Sequence, residues 1–367
     1  MQVKSHQKIA PSDISRYLRV AAIDSRNTYC FLYIGDDPTA IEFLTSNFTK
    51  GYTAEDFEAA KIVLKNRNIC TIDIIIMDVN YDPKALKDFQ SFMNNRGMLS
   101  IPVIYADHHF TDKVEFRPND FIDDIIDLRN WQYDFSSKVS FLKKTKEYGN
   151  VQRSENAGTI NFRYIFKRTL DIIISSLLIL LLIPLLLIIS LAIKLESKGP
   201  VIYNSKRAGR GFRIFNFYKF RTMVVNADKK ISDLAHLNQY SASNETAVFF
   251  KISNDPRITR IGKFLRNTSL DELPQLFNVL KGDMSLVGNR PLPLYEAASL
   301  TTNDFVERFM APAGITGLWQ IMKRGQSEMS TEERINLDIS YARKENLLYD
   351  LWIMANTPKA LFQKNNV

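Results

Sequence analysis

The sequence predicts a two-part chain: an α/β domain on a parallel sheet, then a mostly helical α+β domain fastened to a membrane. Three observations carry this. Over about residues 28–130, short apolar runs alternate with helical patterns, as in strands crossed by helices. A run of about 22 apolar residues, Ile172 to Ile193, then follows a polar stretch and is long enough to cross a bilayer as a helix. From about Ala227 onward the apolar period is helical.

Composition sets the outer limits. The chain has 367 residues, 45% of them hydrophobic, so two or three domains can each build a core. The slightly negative mean hydropathy excludes a polytopic membrane protein. A net charge of +8 beside an apolar anchor favours membrane lipids with anionic headgroups and phosphate-bearing substrates. Nucleic acid is not an expected partner, because no finger, basic zipper or RNA-binding signature occurs. The two cysteines, Cys30 and Cys70, have no metal-ligand spacing, and a reduced, cytoplasmic state is expected. The segment MQVKSHQKIAPSDISRY lacks the apolar core of a signal peptide, so the region before the apolar run is expected in the cytoplasm.

In the first domain, Tyr29–Ile34 reads as a strand ending in Gly35-Asp36-Asp37, and Ala54 to Lys65 as an amphipathic helix. Ile72 to Asp78 is a second strong strand, residues 83–95 are helical, and Ile101–Ala106 is another strand. The order of strands and acids resembles a response-regulator receiver, a flavodoxin-like fold. Asp36 and Asp37 stand where receivers keep their acidic metal-binding pair, and Asp78 where they keep the phosphoacceptor. Receivers then carry Ser or Thr after the fourth strand and Lys after the fifth. This chain offers Asp107 and the acid of Phe121-Ile-Asp-Asp124. The resemblance therefore implies a receiver-like domain over 1–130 that has lost phosphoacceptor function. A plain α/β interaction module, with acids capping strands and helices, explains the same residues equally well. Residues 131–160 are polar and read as a linker.

The apolar run itself admits two readings. Length alone favours one transmembrane helix with a kink at Pro184. Yet Lys and Arg flank both ends, with Arg163, Lys167 and Arg168 before and Lys194, Lys198, Lys206 and Arg207 after, so neither end is marked as outside. A proline-broken re-entrant helix over about 168–195, entering and leaving on the cytoplasmic side, satisfies both observations.

Beyond it, Gly199-Pro200 stops the helix. Val201 to Met223 alternates aromatic and basic residues around Gly209-Arg210-Gly211 and reads as a hairpin. Leu273, Leu276, Phe277 and Leu280 form one apolar stripe that ends at Gly282. The adjacent carboxylates Asp271 and Glu272 precede that stripe. Ser269-x-x-Glu272 is a capping box, and acids suit a helix N-terminus. The box uses only Glu272, which leaves Asp271 over, amid Arg257, Arg260, Lys263, Arg266, Lys281 and Arg290. A carboxylate that attacks a phosphate needs such cations to overcome like-charge repulsion.

Residues 161–367 resemble the bacterial sugar transferase family, the monotopic phosphoglycosyl transferases that load a sugar-1-phosphate onto polyprenyl phosphate. The matching segments are Phe166-Lys-Arg-Thr-Leu-Asp171, Gly199-Pro-Val-Ile-Tyr203, Phe217-Tyr-Lys-Phe-Arg-Thr-Met223, Phe250 to Gly262, Ser269 to Pro291 and Gly314-Ile-Thr-Gly317. The resemblance implies a proline-bent re-entrant helix at Pro184 and a catalytic Asp271–Glu272 dyad that also holds Mg²⁺. It implies transfer from a UDP-sugar to polyprenyl (undecaprenyl) phosphate through a covalent aspartyl intermediate, with UMP released and surface polysaccharide synthesis begun. Substrate contacts are expected from Lys219, Arg221, Arg266, Arg290, Gly314 and Thr316, with support from Asp338 and Tyr341. For Arg221, a solvated or lipid-facing basic strand explains the residue equally well. Three positions depart from the family pattern: Ile183 replaces Ser before the proline, Asn289 replaces Pro in Gly-Pro-Arg-Pro, and Ala313 separates Pro312 from Gly314. The implied location is the bacterial inner membrane with both domains on the cytoplasmic face. A homodimer through the first domain and contact with downstream glycosyltransferases are further expectations. The rival class is a membrane-tethered receiver-type regulator or scaffold with an inactive transferase domain.

Overall fold

A computed structural model describes residues 18–19, 29–66, 71–80, 82–106, 121–128, 131, 135–156, 162–225, 227, 255–300, 303–323 and 330–361. The chain forms two compact units, Met1–Glu147 and Tyr148–Val367.

The first unit holds β1 (Leu18–Arg19), β2 (Cys30–Ile34), α1 (Pro38–Asn47), β3 (Lys50–Ala54), α2 (Phe57–Lys65), β4 (Ile74–Met77), α3 (Pro83–Asn95), β5 (Val103–Ala106) and β6 (Asp124–Ile126). Its sheet runs β1-β3-β2-β4-β5-β6, parallel throughout except for β1. Without β1 the parallel strands stand in the order 2-1-3-4-5 of flavodoxin-like doubly wound sheets, an order that many unrelated proteins share. Strands β2, β4 and β5 are buried along their whole length, which is why they read as unbroken apolar runs. The helix expected from Ala54 starts at Phe57, because Ala54 still pairs with Ile34 and Asp56 caps the helix through Ala59 N.

The acids of this unit are engaged in local structure. Asp37 caps α1, its Oδ1 accepting Thr39 N at 2.9 Å. Asp78 is buried, and the Tyr33 hydroxyl donates to its Oδ2 at 2.5 Å. Asp124 opens β6 instead of ending it, so it does not sit at the strand edge where the sequence placed it. Asp107 lies outside the described residues. Cys30 is disulfide-bonded, which corrects the expected reduced state; Cys70 lies outside the described residues.

The expected linker is largely a helix, α4 (Phe135–Asn156). Its polarity misleads because three of its lysines find acids. Lys138 pairs with Asp124, Lys143 with Asp73 at 2.6 Å and Lys146 with Asp123 at 2.8 Å. Phe135 supplies the apolar contact, edge-on to Phe48 at 5.4 Å between centroids.

The second unit continues with α5 (Phe162–Glu196), β7 (Ile202–Ala208), β8 (Ile214–Phe220), α6 (Arg260–Asn267), α7 (Gln275–Lys281), β9 (Ser285–Val287), β10 (Leu292–Pro293), α8 (Leu294–Ser299), β11 (Gly314–Thr316), α9 (Leu318–Lys323), α10 (Thr331–Lys344) and α11 (Leu347–Leu361). The expected hairpin is β7–β8, joined through Gly209 and a short turn, and β10 adds an antiparallel third strand. Strands β9 and β11 pair in parallel.

Pro184 lies inside α5, not at a break between two helices. The lost backbone bond leaves the rest of a 35-residue ladder intact, and apolar helix formers flank the proline on both sides. Among the described residues α5 is the one helix long and apolar enough to cross a membrane. From Ile174 to Ile193 one face packs on the unit. Ile174, Leu178 and Leu182 meet the cluster around Leu276 and Val279, while Leu185, Ile189 and Ile193 meet Phe220 and Leu265. The other face, with Ile173, Leu177, Leu181, Leu187, Ile188 and Leu191, is exposed.

Among the described residues, the Lys138–Asp124 pair is the most buried ion pair of the first unit, its side chains 0% and 4% exposed. A Lys138→Ala substitution leaves the Asp124 carboxylate without its counter-ion and is expected to destabilise the unit by about 3–5 kcal/mol. Denaturant unfolding measures this, and a loss under about 1 kcal/mol contradicts a stabilising pair.

Candidate active site

The hairpin register puts Tyr203, Ser205 and Arg207 of β7 on the same face as Lys219, Phe217 and Phe215 of β8. Lys219 reaches from that face to both carboxylates of the Asp-Glu pair. Its Nζ lies 3.2 Å from Asp271 Oδ2 and 2.9 Å from Glu272 Oε1. Arg290 Nη2 donates to the same Glu272 oxygen at 2.9 Å. Asp271 is buried at 6% exposure. Burial alone would push the Glu272 carboxyl up, but Arg290 and Lys219 outweigh it and hold the group well below the usual carboxylate range.

The pair sits on a single 3₁₀ turn, Leu270–Glu272. The capping-box reading does not hold. Ser269 adopts φ +58°, makes no capping hydrogen bond, and α7 begins only after Pro274. A left-handed serine costs strain, and the cost is borne where the chain turns two acids toward the hairpin. Two side chains fix α7 beneath them. Asn278 accepts from Tyr218 N at 3.0 Å and donates to Asn216 O at 2.6 Å, tying α7 to the edge of β8. Arg168 of α5 donates to Val279 O and Leu280 O at the other end. The predicted stop at Gly282 is present, with φ +91°.

Arg290 is delivered by a loop that packs backbone against backbone. A Cβ on Gly314 would lie 2.1 Å from Gly288 N, and one on Gly288 would lie 2.2 Å from Pro312 O, so neither position admits a side chain. Arg308 then donates to Arg290 O at 2.9 Å and pairs with Asp338 at 2.8 Å. Asn289 donates to the backbone of Arg308 and Asp338. The two carbonyls take a side-chain donor that proline lacks, which accounts for Asn289 standing in the place of Pro.

Five expected site residues do not meet the carboxylates. Arg221 binds the C-terminal end of α5 instead, donating to Ser197 O at 2.7 Å, Ser197 Oγ at 2.8 Å and Lys198 O at 3.1 Å. Gly314 serves the backbone contact just described. Thr316 Oγ1 lies 2.8 Å from Thr357 Oγ1 of α11. Asp338 acts through Arg308. Tyr341 donates to Asp350 Oδ1 at 2.7 Å, and Lys167 of α5 pairs with the same carboxylate. Arg266 stays close. It donates to Thr222 Oγ1 at 3.0 Å, and while burial disfavours its charge, Asp271 favours it. Sequence reasoning missed Asn278 and Arg308, since neither shows its role without knowing which strand or helix lies opposite.

The arrangement presents one buried carboxylate beside a second that two cations hold ionised. It suits reaction with an anionic phosphorus centre, which those cations screen.

Comparison with known proteins gives the same direction. A family profile described as bacterial sugar transferase matches residues 162–364. An uncharacterized sugar transferase of Haemophilus influenzae is 36% identical over 297 residues, covering 74% of this chain and 61% of the relative. That match is longer than the family segment and takes in part of the first unit. An undecaprenyl-phosphate galactose phosphotransferase of Salmonella typhimurium is 40% identical over 199 residues, 54% of this chain and 41% of the relative. A UDP-glucose:undecaprenyl-phosphate glucose-1-phosphate transferase of Klebsiella pneumoniae is 40% identical over 195 residues, 52% and 38%. The chain thus spans less than two thirds of the length of each of these relatives.

The Glu272 carboxyl, depressed in the folded state, contributes stability that is complete above the ordinary glutamate value of 4.5 and lost as pH falls below it. The stability gap between the parent protein and Glu272→Gln is therefore expected to hold at neutral pH and shrink toward about pH 3. Thermal unfolding across that range reads it, and a gap that does not change with acid contradicts the ion-pair assignment.

Proposed function

The chain belongs to the bacterial sugar transferase family, and on that premise we propose that it moves a sugar-1-phosphate from a UDP-sugar to undecaprenyl or a related polyprenyl phosphate. The observation that carries the reading is Asp271, buried and held 3.2 Å from Lys219 beside a Glu272 pinned by Lys219 and Arg290. An Asp271 oxygen attacks the sugar-bearing phosphorus. A P–O bond forms to the carboxylate and the bond to the leaving phosphate breaks, releasing UMP. An oxygen of the polyprenyl phosphate then attacks the same phosphorus, and the aspartyl P–O bond breaks to restore the carboxylate. Lys219 and Arg290 spread the charge of the phosphoryl oxygens, and Arg266 stands beside Asp271 to add a third cation. The sugar is left open, since relatives with galactose and with glucose in their names match alike.

We infer that Asp271 and Glu272 would hold a divalent cation. Lys219 Nζ already lies between the two carboxylates, where a positive charge is held, and no third His, Cys, Asp or Glu joins them among the described residues. Two carboxylates completed by phosphate oxygens and water suit Mg²⁺. When bound, that ion would neutralise the diphosphate and ease departure of UMP.

We read α5 as re-entrant, with both units on the cytoplasmic face of the inner membrane. Support comes from its two ends, which bond to one globular unit: Lys167 and Arg168 at the start, Ile193 and Glu196 at the finish. A helix spanning the roughly 30 Å hydrocarbon core would require that one unit to contact it on both faces of the membrane. We read the first unit as receiver-like and silent as a phosphoacceptor, since its Asp78 is covered by Tyr33.

The test incubates the full chain with Mg²⁺ and a panel of UDP-sugars. UMP release that requires polyprenyl phosphate is expected, with a phosphosugar mass on the protein when the lipid is absent. Asp271→Asn is expected to lower turnover by at least about 10³-fold; normal turnover by this variant rejects the nucleophile. Cysteines placed at positions 165 and 200 are expected to label from the same side, and labelling from opposite sides rules out re-entry.

A further inference from the structure

One cation of the hairpin face is left unused by this mechanism. Arg207 follows the register of β7 onto the side that carries Phe217 and Lys219. Its guanidinium lies over the Phe217 ring at 5.0 Å, and Lys219 Nζ lies 5.8 Å from the same ring. Pairing of β10 with β7 sets Pro293 opposite Arg207, which brings the Arg290 loop alongside. Lys219 and Arg290 thus meet on Glu272 Oε1, and Arg207 shares the Phe217 ring with Lys219 and feels the charge of Arg290.

Arg207 differs from the other two in its partners. It donates to Ser205 Oγ at 3.3 Å, and among the described residues no carboxylate lies within ion-pair distance of it. Burial and the neighbouring Arg290 both work against its charge, while Glu296 and the tyrosines Tyr295 and Tyr203 favour it from farther off. A basic side chain on a solvated strand would turn away from another cation into water. This one lies over a ring with the charge of Arg290 opposing its own, an arrangement whose cost a bound anion removes.

We propose that Arg207 completes, with Lys219 and Arg290, a subsite for a phosphate monoester dianion beside the Asp271–Glu272 pair. The inference rests on the transferase reading and deepens it. Two molecules in that reaction carry such a group, the departing nucleoside monophosphate and the polyprenyl phosphate acceptor. The guanidinium fork suits two phosphate oxygens at once, and Phe217 holds its plane in place.

Binding of UMP and of farnesyl phosphate to the full chain in lipid nanodiscs, followed by calorimetry, tests this. Arg207→Met keeps the stem on Phe217 and removes the charge; it is expected to weaken one of the two ligands by about tenfold or more. Loss of UMP affinity assigns the subsite to the nucleotide, and loss of farnesyl phosphate affinity assigns it to the acceptor. Lys206→Met, on the opposite face of the hairpin, is expected to change neither by more than about twofold. Should Arg207→Met lower the unfolding midpoint, Arg207→Lys decides, keeping the charge but not the fork, with an expected loss of about threefold or more. Unchanged binding of both ligands by a folded Arg207 variant overturns the proposal, as does a parent protein that binds neither. If binding depends on Arg207 but no UDP-sugar yields UMP, the subsite stands and the reaction reading falls alone.

Discussion

Adjacent carboxylates brought under cover need positive charge at close range, and the second unit is arranged to supply it. Glu272 takes one cation from a hairpin and one from a distant loop, while Lys219 is shared with Asp271. A single missing partner would leave charge buried without compensation, a cost of several kcal/mol. Hairpin, 3₁₀ turn and glycine-packed loop are therefore tied to one another by electrostatics, although the chain separates them by dozens of residues. The left-handed Ser269 and the close backbone approach at Gly288 and Gly314 are local costs that this arrangement explains.

The apolar helix is joined to that site by two arginine contacts of opposite sense. Arg168 leaves α5 to satisfy carbonyls at the end of α7, and Arg221 arrives from the strand hairpin to satisfy carbonyls at the end of α5. Helix ends leave carbonyls without intrahelical partners, and a guanidinium fork answers several of them together. This use of Arg221 matches neither of the two readings that its sequence position left open: it is a buried clamp on the end of α5. It also means that the depth of α5 in a membrane sets the height of Asp271, because each contact is a short hydrogen bond with little slack.

Much of this was legible in the residues. Buried parallel strands announce themselves as apolar runs, and the hairpin by its alternation about Gly209. The stop of α7 was legible because only glycine takes φ +91° cheaply. The Asp271–Glu272 pair stood out because a capping box accounts for one acid, not two. What stayed hidden depends on partners far along the chain. The polar stretch 131–160 looked like a linker, since Lys138, Lys143 and Lys146 reveal their helix only once Asp124, Asp73 and Asp123 are opposite them. Pro184 looked like a break because local sequence cannot report a helix held in place by packing along one face. Arg308 and Asn278 carried no local signal at all.

The packed face of α5 is a wall of the second unit's core, with Leu178 and Leu182 in the cluster of Val279 and Ile189 in that of Phe220 and Leu265. The apolar helix and the carboxylate site thus belong to a single folding unit. Cutting the helix away would not free a water-soluble domain; it would strip the core of one side and leave two apolar clusters to aggregate. Detergent, by the same logic, needs to replace lipid only on the outer face of the helix, while the inner face keeps protein as its solvent.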